Sequence, residues 1–148
     1  MRLLFAAALL LLAACGKQET GKADPNDREQ VALGAKTYAA NCAACHGAKL
    51  EGQPNWREKL PNGRWPAPPH DESGHTWHHP DGILFGITKE GIVPGKYAPD
   101  GWESDMPAFG GKLSDAEIWA VLAYIKTSWK DPKLLAAREE MLRNAARR

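Results

Sequence analysis

Cys42-Ala43-Ala44-Cys45-His46 is the stretch whose residue types and spacing can do chemistry. On a helix, residues at i, i+3 and i+4 project from one side of a single turn, so the two thiols and the imidazole face the same way. C-x-x-C-H is the signature of covalent haem attachment. Each thiol adds to a vinyl group of the porphyrin as a thioether, and the imidazole directly behind reaches the iron through a ring nitrogen. A C-x-x-C pair alone also fits a redox dithiol or half of a zinc site. The dithiol asks for a strand-then-helix context that is absent here. Zinc asks for a second ligand pair, and only Cys15 remains among the cysteines.

Cys15 has another reading. Met1-Arg2 is a short positive start, Leu3 to Leu12 is an apolar run too short to span a bilayer, and Ala13-Ala14-Cys15 follows. Residues 1–14 therefore read as a signal peptide. Leu12-Ala13-Ala14-Cys15 resembles a bacterial lipobox, in which cleavage precedes the cysteine and its sulfur receives a diacylglyceryl group; an ordinary secretory peptide with an incidental cysteine is the alternative. Two or more acyl chains anchor a protein stably to a membrane. Gly16 after the cysteine, rather than aspartate, points by lipoprotein sorting rules to the outer membrane where the host has one.

The chain has 148 residues, 43% hydrophobic and 25% charged, which fits one globular domain with short extensions. Without residues 1–14 it carries 18 Lys and Arg against 18 Asp and Glu, so no charge excess points to nucleic acid.

The elements that must present the C-x-x-C-H turn are helices. Residues 15–26 are polar with Gly and Pro, and read as a lipidated flexible tether, with a structured arm on the domain as the alternative. Asn26 with Glu29 and Asp27 with Gln30 both match a capping box, which starts a helix whose stripe is Val31, Gly34, Ala35 and Tyr38 and which delivers Cys42. Gly47 can take the left-handed backbone that ends it. Residues 48–79, with five prolines and Trp56, Trp65 and Trp77, read as a loop wrapped round the cofactor. A second helix is expected from Pro80 to Glu90, stopped at Gly91, with Ile83, Leu84 and Ile87 inward. Ser114 with Glu117 caps the clearest helix, with stripe Ile118, Val121, Leu122 and Ile125. After Trp129, Asp131-Pro132 restarts a helix through about Asn144, with Leu134, Leu135, Met141 and Leu142 on one side and arginines elsewhere. It is expected to pack on the domain, with lipid or a partner as the alternative.

An electron carrier with six-coordinate iron needs a ligand opposite His46, and methionine raises the potential. Of three methionines, Met1 is removed with the signal and Met141 lies in the terminal extension, which leaves Met106. Pro107 keeps Met106 extended, favouring a side chain held out from its loop. His70, His75, His78 and His79 offer histidine ligation instead, or a separate copper-like site.

Residues 27–129 resemble a class I cytochrome c: Gly34 and Tyr38 precede the Cys42–His46 motif at the family's spacing, Met106-Pro107 follows, and Tyr124 lies in the last core helix. The resemblance implies an all-α fold in which N- and C-terminal helices cross near Tyr124 and loops enclose one covalent haem c. It also implies a proline carbonyl accepting a hydrogen bond from His46, for which Pro68 and Pro69 both qualify outside the usual Gly-Pro-x-Leu setting. The domain plan is then a signal peptide (1–14), a tether (15–26), a cytochrome c domain (27–129) and a C-terminal helical extension (130–148). The expected function is single-electron shuttling between redox protein partners on the periplasmic side of a bacterial membrane, without a small-molecule substrate or an enzyme's acid, base or nucleophile. A gas-binding or sensory haem protein and a haem subunit of a larger oxidoreductase are the alternatives.

Overall fold

The structure, a computed structural model, describes residues 21–147. Five α-helices follow one another: α1 (Arg28–Asn41), α2 (Ala43–His46), α3 (Asp81–Glu90), α4 (Asp115–Lys126) and α5 (Pro132–Ala145), with a 3-10 turn at Thr76–His78. Among the described residues there is no strand beyond one isolated bridge between Pro94 and Ala98, so the fold is all-α as expected. Residues 1–14, expected to be a signal peptide, and Cys15, the expected lipidation site, lie outside the described residues.

Asp27 caps α1, its carboxylate accepting from the amides of Glu29 and Gln30, each at 3.0 Å. The expected reciprocal half of the capping box does not form. Gln30 is buried and satisfies both ends of its amide elsewhere, accepting from Asp24 N and donating to Lys22 O, each at 2.8 Å. Ala23 is buried in turn and its carbonyl accepts from Lys126 Nζ at 2.7 Å. The last part of the expected flexible tether, residues 22–26, is therefore an arm laid on the domain.

Gly34 and Tyr38 of the expected α1 stripe are buried, joined by Gln30 and Thr37, while Val31 and Ala35 sit half-buried at the edge of that face. The reason is the approach of α4. A Cβ on Gly34 would lie 1.9 Å from Ala120 O, so the two backbones meet there with no side chain between them. Tyr38 and Tyr124 pack beside the crossing with ring centroids 5.4 Å apart. The full stripe Ile118, Val121, Leu122 and Ile125 of α4 is buried, and Ser114 and Glu117 form the reciprocal cap as expected.

Helix α3 follows Pro80 and ends at Gly91, whose φ is 80°. Phe85 stacks on Trp119 of α4, centroids 4.5 Å apart, and Leu84 is buried, which turns Ile83 outward against expectation, at 39% exposure. Helix α5 packs on the domain, but through Leu134 and Arg138, while Leu135 faces solvent. Arg138 is the correction to a face read as apolar. Its guanidinium donates to Trp77 O, to His79 O at 2.7 Å and to the Asp81 carboxylate, and lies over the Trp129 ring at 4.9 Å. Asp81 also takes Lys126 Nζ at 2.8 Å, so one carboxylate ties α3, α4 and α5 together.

Gly34→Ala is expected to lower the unfolding free energy by at least the about 1–3 kcal/mol typical of overpacking, because the added methyl meets backbone that cannot rotate away. Urea unfolding of the two proteins measures it.

Candidate haem site

Helix α1 ends on Cys42, whose amide donates to Tyr38 O at 2.8 Å. The chain turns again at once: the amides of Cys45 and His46 donate to Cys42 O at 3.1 and 2.9 Å, and Gly47 N to Ala43 O at 3.0 Å. Cys42, Cys45 and His46 are thus held on one turn. Gly47 closes it with φ 81° and ψ 146°, positive as expected but more extended than a left-handed helix residue, and a Cβ there would strike the Glu51 carboxylate at 2.2 Å. Tyr38 Oη donates to Gly47 O at 2.9 Å, fastening the turn to α1.

Cys42 and Cys45 are not joined in a disulfide. Burial, with Cys45 alongside, pushes the Cys42 thiol up to about 11, and Lys112 only partly opposes it. The attacking thiol of a redox dithiol has a depressed pKa, and Cys42 is shifted the other way. No group of three or more His, Cys, Asp or Glu among the described residues is arranged to hold a metal ion.

His46 is buried at 7% exposure, and its Nδ1 lies 2.8 Å from Pro68 O. A carbonyl only accepts, so Nδ1 carries the hydrogen and Nε2 keeps the lone pair that binds metal. Burial lowers the pKa of the ring, with the Pro68 acceptor acting the other way, so the imidazole stays neutral. Of the two prolines open from sequence, Pro68 is the partner; Pro69 O instead accepts from Thr76 Oγ1 at 3.3 Å.

The loop that brings Pro68 here is built from short contacts. His70 N donates to Leu50 O at 2.8 Å, Gln53 N to Ala67 O at 2.9 Å, and Gly52 N to His46 O at 2.8 Å. Two glycines clasp the proline pair: a Cβ on Gly52 would lie 2.4 Å from Pro69 N, and one on Gly74 2.1 Å from Pro69 O. Composition marked this segment as loop, but nothing in it announced the clasp.

His70 lies face to face with His46, ring centroids 4.0 Å apart and planes 22° from parallel. A ring stacked against the flank of the first ligand cannot stand across the iron from it, which removes His70 from the opposite position. His75, His78 and His79 form a separate cluster, with centroids 4.6 to 5.5 Å apart and Trp56 stacked on His75.

Met106 is half-buried against Phe109, Leu113 and Ile118. Phe109 N donates to Thr88 O at 3.0 Å and Gly110 N to Lys89 O at 2.9 Å, anchoring its loop on the end of α3. Arg64 pairs with Asp105 just before it, joining the two long loops. Two buried ring nitrogens in those loops, His75 Nδ1 and Trp102 Nε1, have no partner. An indole N–H is a donor only, and a haem brings two carboxylates as acceptors, so the residues present fit that group.

The cytochrome c family model matches residues 31–129. This chain is a member of the cytochrome c family. It is 31% identical to a cytochrome c6 of a Picosynechococcus strain over 126 residues, 84% of this chain and 92% of that protein. It is 32% identical over 106 residues, 71% of this chain, to subunit FixP of a cbb3-type cytochrome c oxidase from Azorhizobium caulinodans. A gluconate 2-dehydrogenase cytochrome c subunit from Pantoea cypripedii is 32% identical over 97 residues, 65% of this chain. The chain spans 29% of the length of FixP and 20% of that of the dehydrogenase subunit. The cofactor of this cytochrome is covalently bound haem c with its iron, and one C-x-x-C-H motif accounts for one haem.

The histidine cluster has a pH signature. Burial first, then the neighbouring His78, His75 and Arg138, lower His79 from 6.5 to about 4. The unfolded chain then takes up this proton before the folded one does, so the stability that His79 contributes is present above pH 6.5 and is lost as pH falls toward 4. The His79 ring resonance should titrate near 4, and the urea midpoint should fall across that window by less in His79→Gln than in the wild type.

Proposed function

We propose that this cytochrome is a mono-haem carrier of single electrons, its iron alternating between ferric and ferrous states. The observation that carries the reading is the hydrogen bond from His46 Nδ1 to Pro68 O, which commits Nε2 to the iron. Cys42 and Cys45 would form the two thioethers from the same turn. Met106 would supply a second iron ligand: Pro107 keeps its backbone extended, Ser104 Oγ accepts from its amide at 3.1 Å, and Phe109, Leu113 and Ile118 back its side chain. Met141 is the other methionine among the described residues, and it sits on α5.

The haem supplies the redox chemistry when bound. The chain's part is to hold four attachment points still, so that little reorganises when the charge changes. His46 keeps one tautomer, Pro68 accepts its proton without taking it, and the apolar cluster beside Met106 keeps water from the sulfur. The reading includes no substrate site with an acid, base or nucleophile of its own, and its partners are redox proteins.

Location follows from the first residues. Residues 1–14 direct export, Cys15 takes the lipid, and the domain works at the periplasmic face of a bacterial membrane, the outer one if the Gly16 rule applies. No helix among the described residues is long and apolar enough to cross a membrane, so anchoring rests on Cys15 in this account. A second reading, a haem subunit or module of a larger oxidoreductase, is favoured by two relatives of which this chain spans less than a third.

Met106→Ala is expected to abolish the long-wavelength band that methionine sulfur gives a ferric haem and to lower the midpoint potential in an optical redox titration. An unchanged band would remove Met106 as ligand. Cys15→Ser should move the protein from the membrane to the soluble fraction while leaving its haem spectrum intact; a variant still sedimenting with membranes would remove the lipid anchor.

A further inference from the structure

One face of the His46 imidazole is covered by the His70 ring at 4.0 Å, and His70 is itself fixed on every side. Its Nδ1 lies 2.8 Å from Thr76 Oγ1, and that hydroxyl donates onward to Pro69 O at 3.3 Å. The contact between Nδ1 and the Thr76 hydroxyl pins the His70 ring at that nitrogen. The backbone is pinned as well: the amide donates to Leu50 O at 2.8 Å and the carbonyl accepts from Trp129 Nε1 at 2.9 Å. Trp129 is buried beneath the Arg138 guanidinium, and the edge of Tyr38 closes another side of the ring at 6.3 Å.

A filler of the space beside a ligand needs volume, not a ring pinned at one nitrogen with its flat face laid parallel. A hydrogen bond at Nδ1 holds His46 at one point of its ring; a planar group against its face holds the plane. We propose that His70 is a positioning residue: its ring, held by Thr76 and Trp129, sets the plane of the His46 imidazole and thereby the orientation of the ligand π orbitals relative to the porphyrin. The inference rests on the reading of His46 as an iron ligand. It also gives the C-terminal extension a part in the site, since the support runs from Arg138 through Trp129 to His70.

The test compares wild type, His70→Leu, His70→Phe and Thr76→Val as ferric holoproteins, by low-spin electron paramagnetic resonance and by the hyperfine-shifted haem methyl resonances. Haem content and Tm are measured alongside. Leucine fills the space without a flat face, so the g anisotropy and the spread of the methyl shifts are expected to change; phenylalanine keeps the face and should stay near wild type. Thr76→Val frees the His70 ring and should move both readouts in the direction of leucine. A leucine variant with wild-type values, or a phenylalanine variant displaced as far as leucine, overturns the inference even where Tm falls. If the leucine variant does not retain haem, unchanged values in Thr76→Val overturn it. A wild-type protein lacking any histidine-ligated low-spin signal removes the ligand reading itself, and this inference with it.

Discussion

In the proposed site a buried imidazole has one nitrogen to give to iron and one to satisfy, and the structure is arranged around that division. Pro68 O accepts the hydrogen of His46 Nδ1, which leaves Nε2 with its lone pair. Proline cannot donate from its own nitrogen, so the pair Pro68-Pro69 presents carbonyls to its surroundings and nothing that competes for them. Keeping that carbonyl in place calls for backbone contact closer than any side chain allows, which is why Gly52 and Gly74 flank the pair. The attachment turn needs the same care at its far end, where Gly47 closes the helix and receives the Tyr38 hydroxyl.

The rest of the chain makes this arrangement rigid. Crossing of α1 and α4 at Gly34 and Ala120 fixes the helix that carries Cys42. At the other side, Asp81 gathers Lys126 and Arg138, while Arg138 grips the carbonyls of the histidine loop. A buried arginine with a carboxylate and two carbonyls has its desolvation offset by charge-assisted hydrogen bonds; without them it would be a liability. The N-terminal arm enters the same network through Ala23 O. Segments far apart in sequence therefore converge on the loop that holds the ligand.

What could be read from the sequence was local. The Cys42–His46 motif, the Ser114–Glu117 cap and the stripe of α4 lie within a turn or two of themselves, and each formed as its spacing dictated. What depended on distant partners was not readable. Nothing near Gln30 says that its amide will bind Lys22 and Asp24 rather than complete a cap, and nothing near Ala23 says that Lys126 will receive it. Gly34 and Tyr38 of the α1 stripe are buried as their spacing dictates, but Gln30 and Thr37, polar residues that a hydrophobic pattern passes over, complete that face in place of Val31 and Ala35. Arg138 is buried although it falls among the arginines expected off the apolar side of the last helix, where a charge usually faces solvent. His70 is legible as a histidine near the site and, for that reason, as a rival ligand; its stacking on the His46 ring is geometry that the sequence does not carry.

The account stands on haem being bonded to the turn that presents His46. The direct measurement is the intact mass of the protein, purified from cells able to mature cytochromes and analysed in denaturing acid, followed by mapping of the peptide that spans residues 42–46. The mass should exceed that of the polypeptide by one haem, retained on that peptide. A bare polypeptide with two unmodified thiols, its colour extracted by acidified acetone, would contradict it.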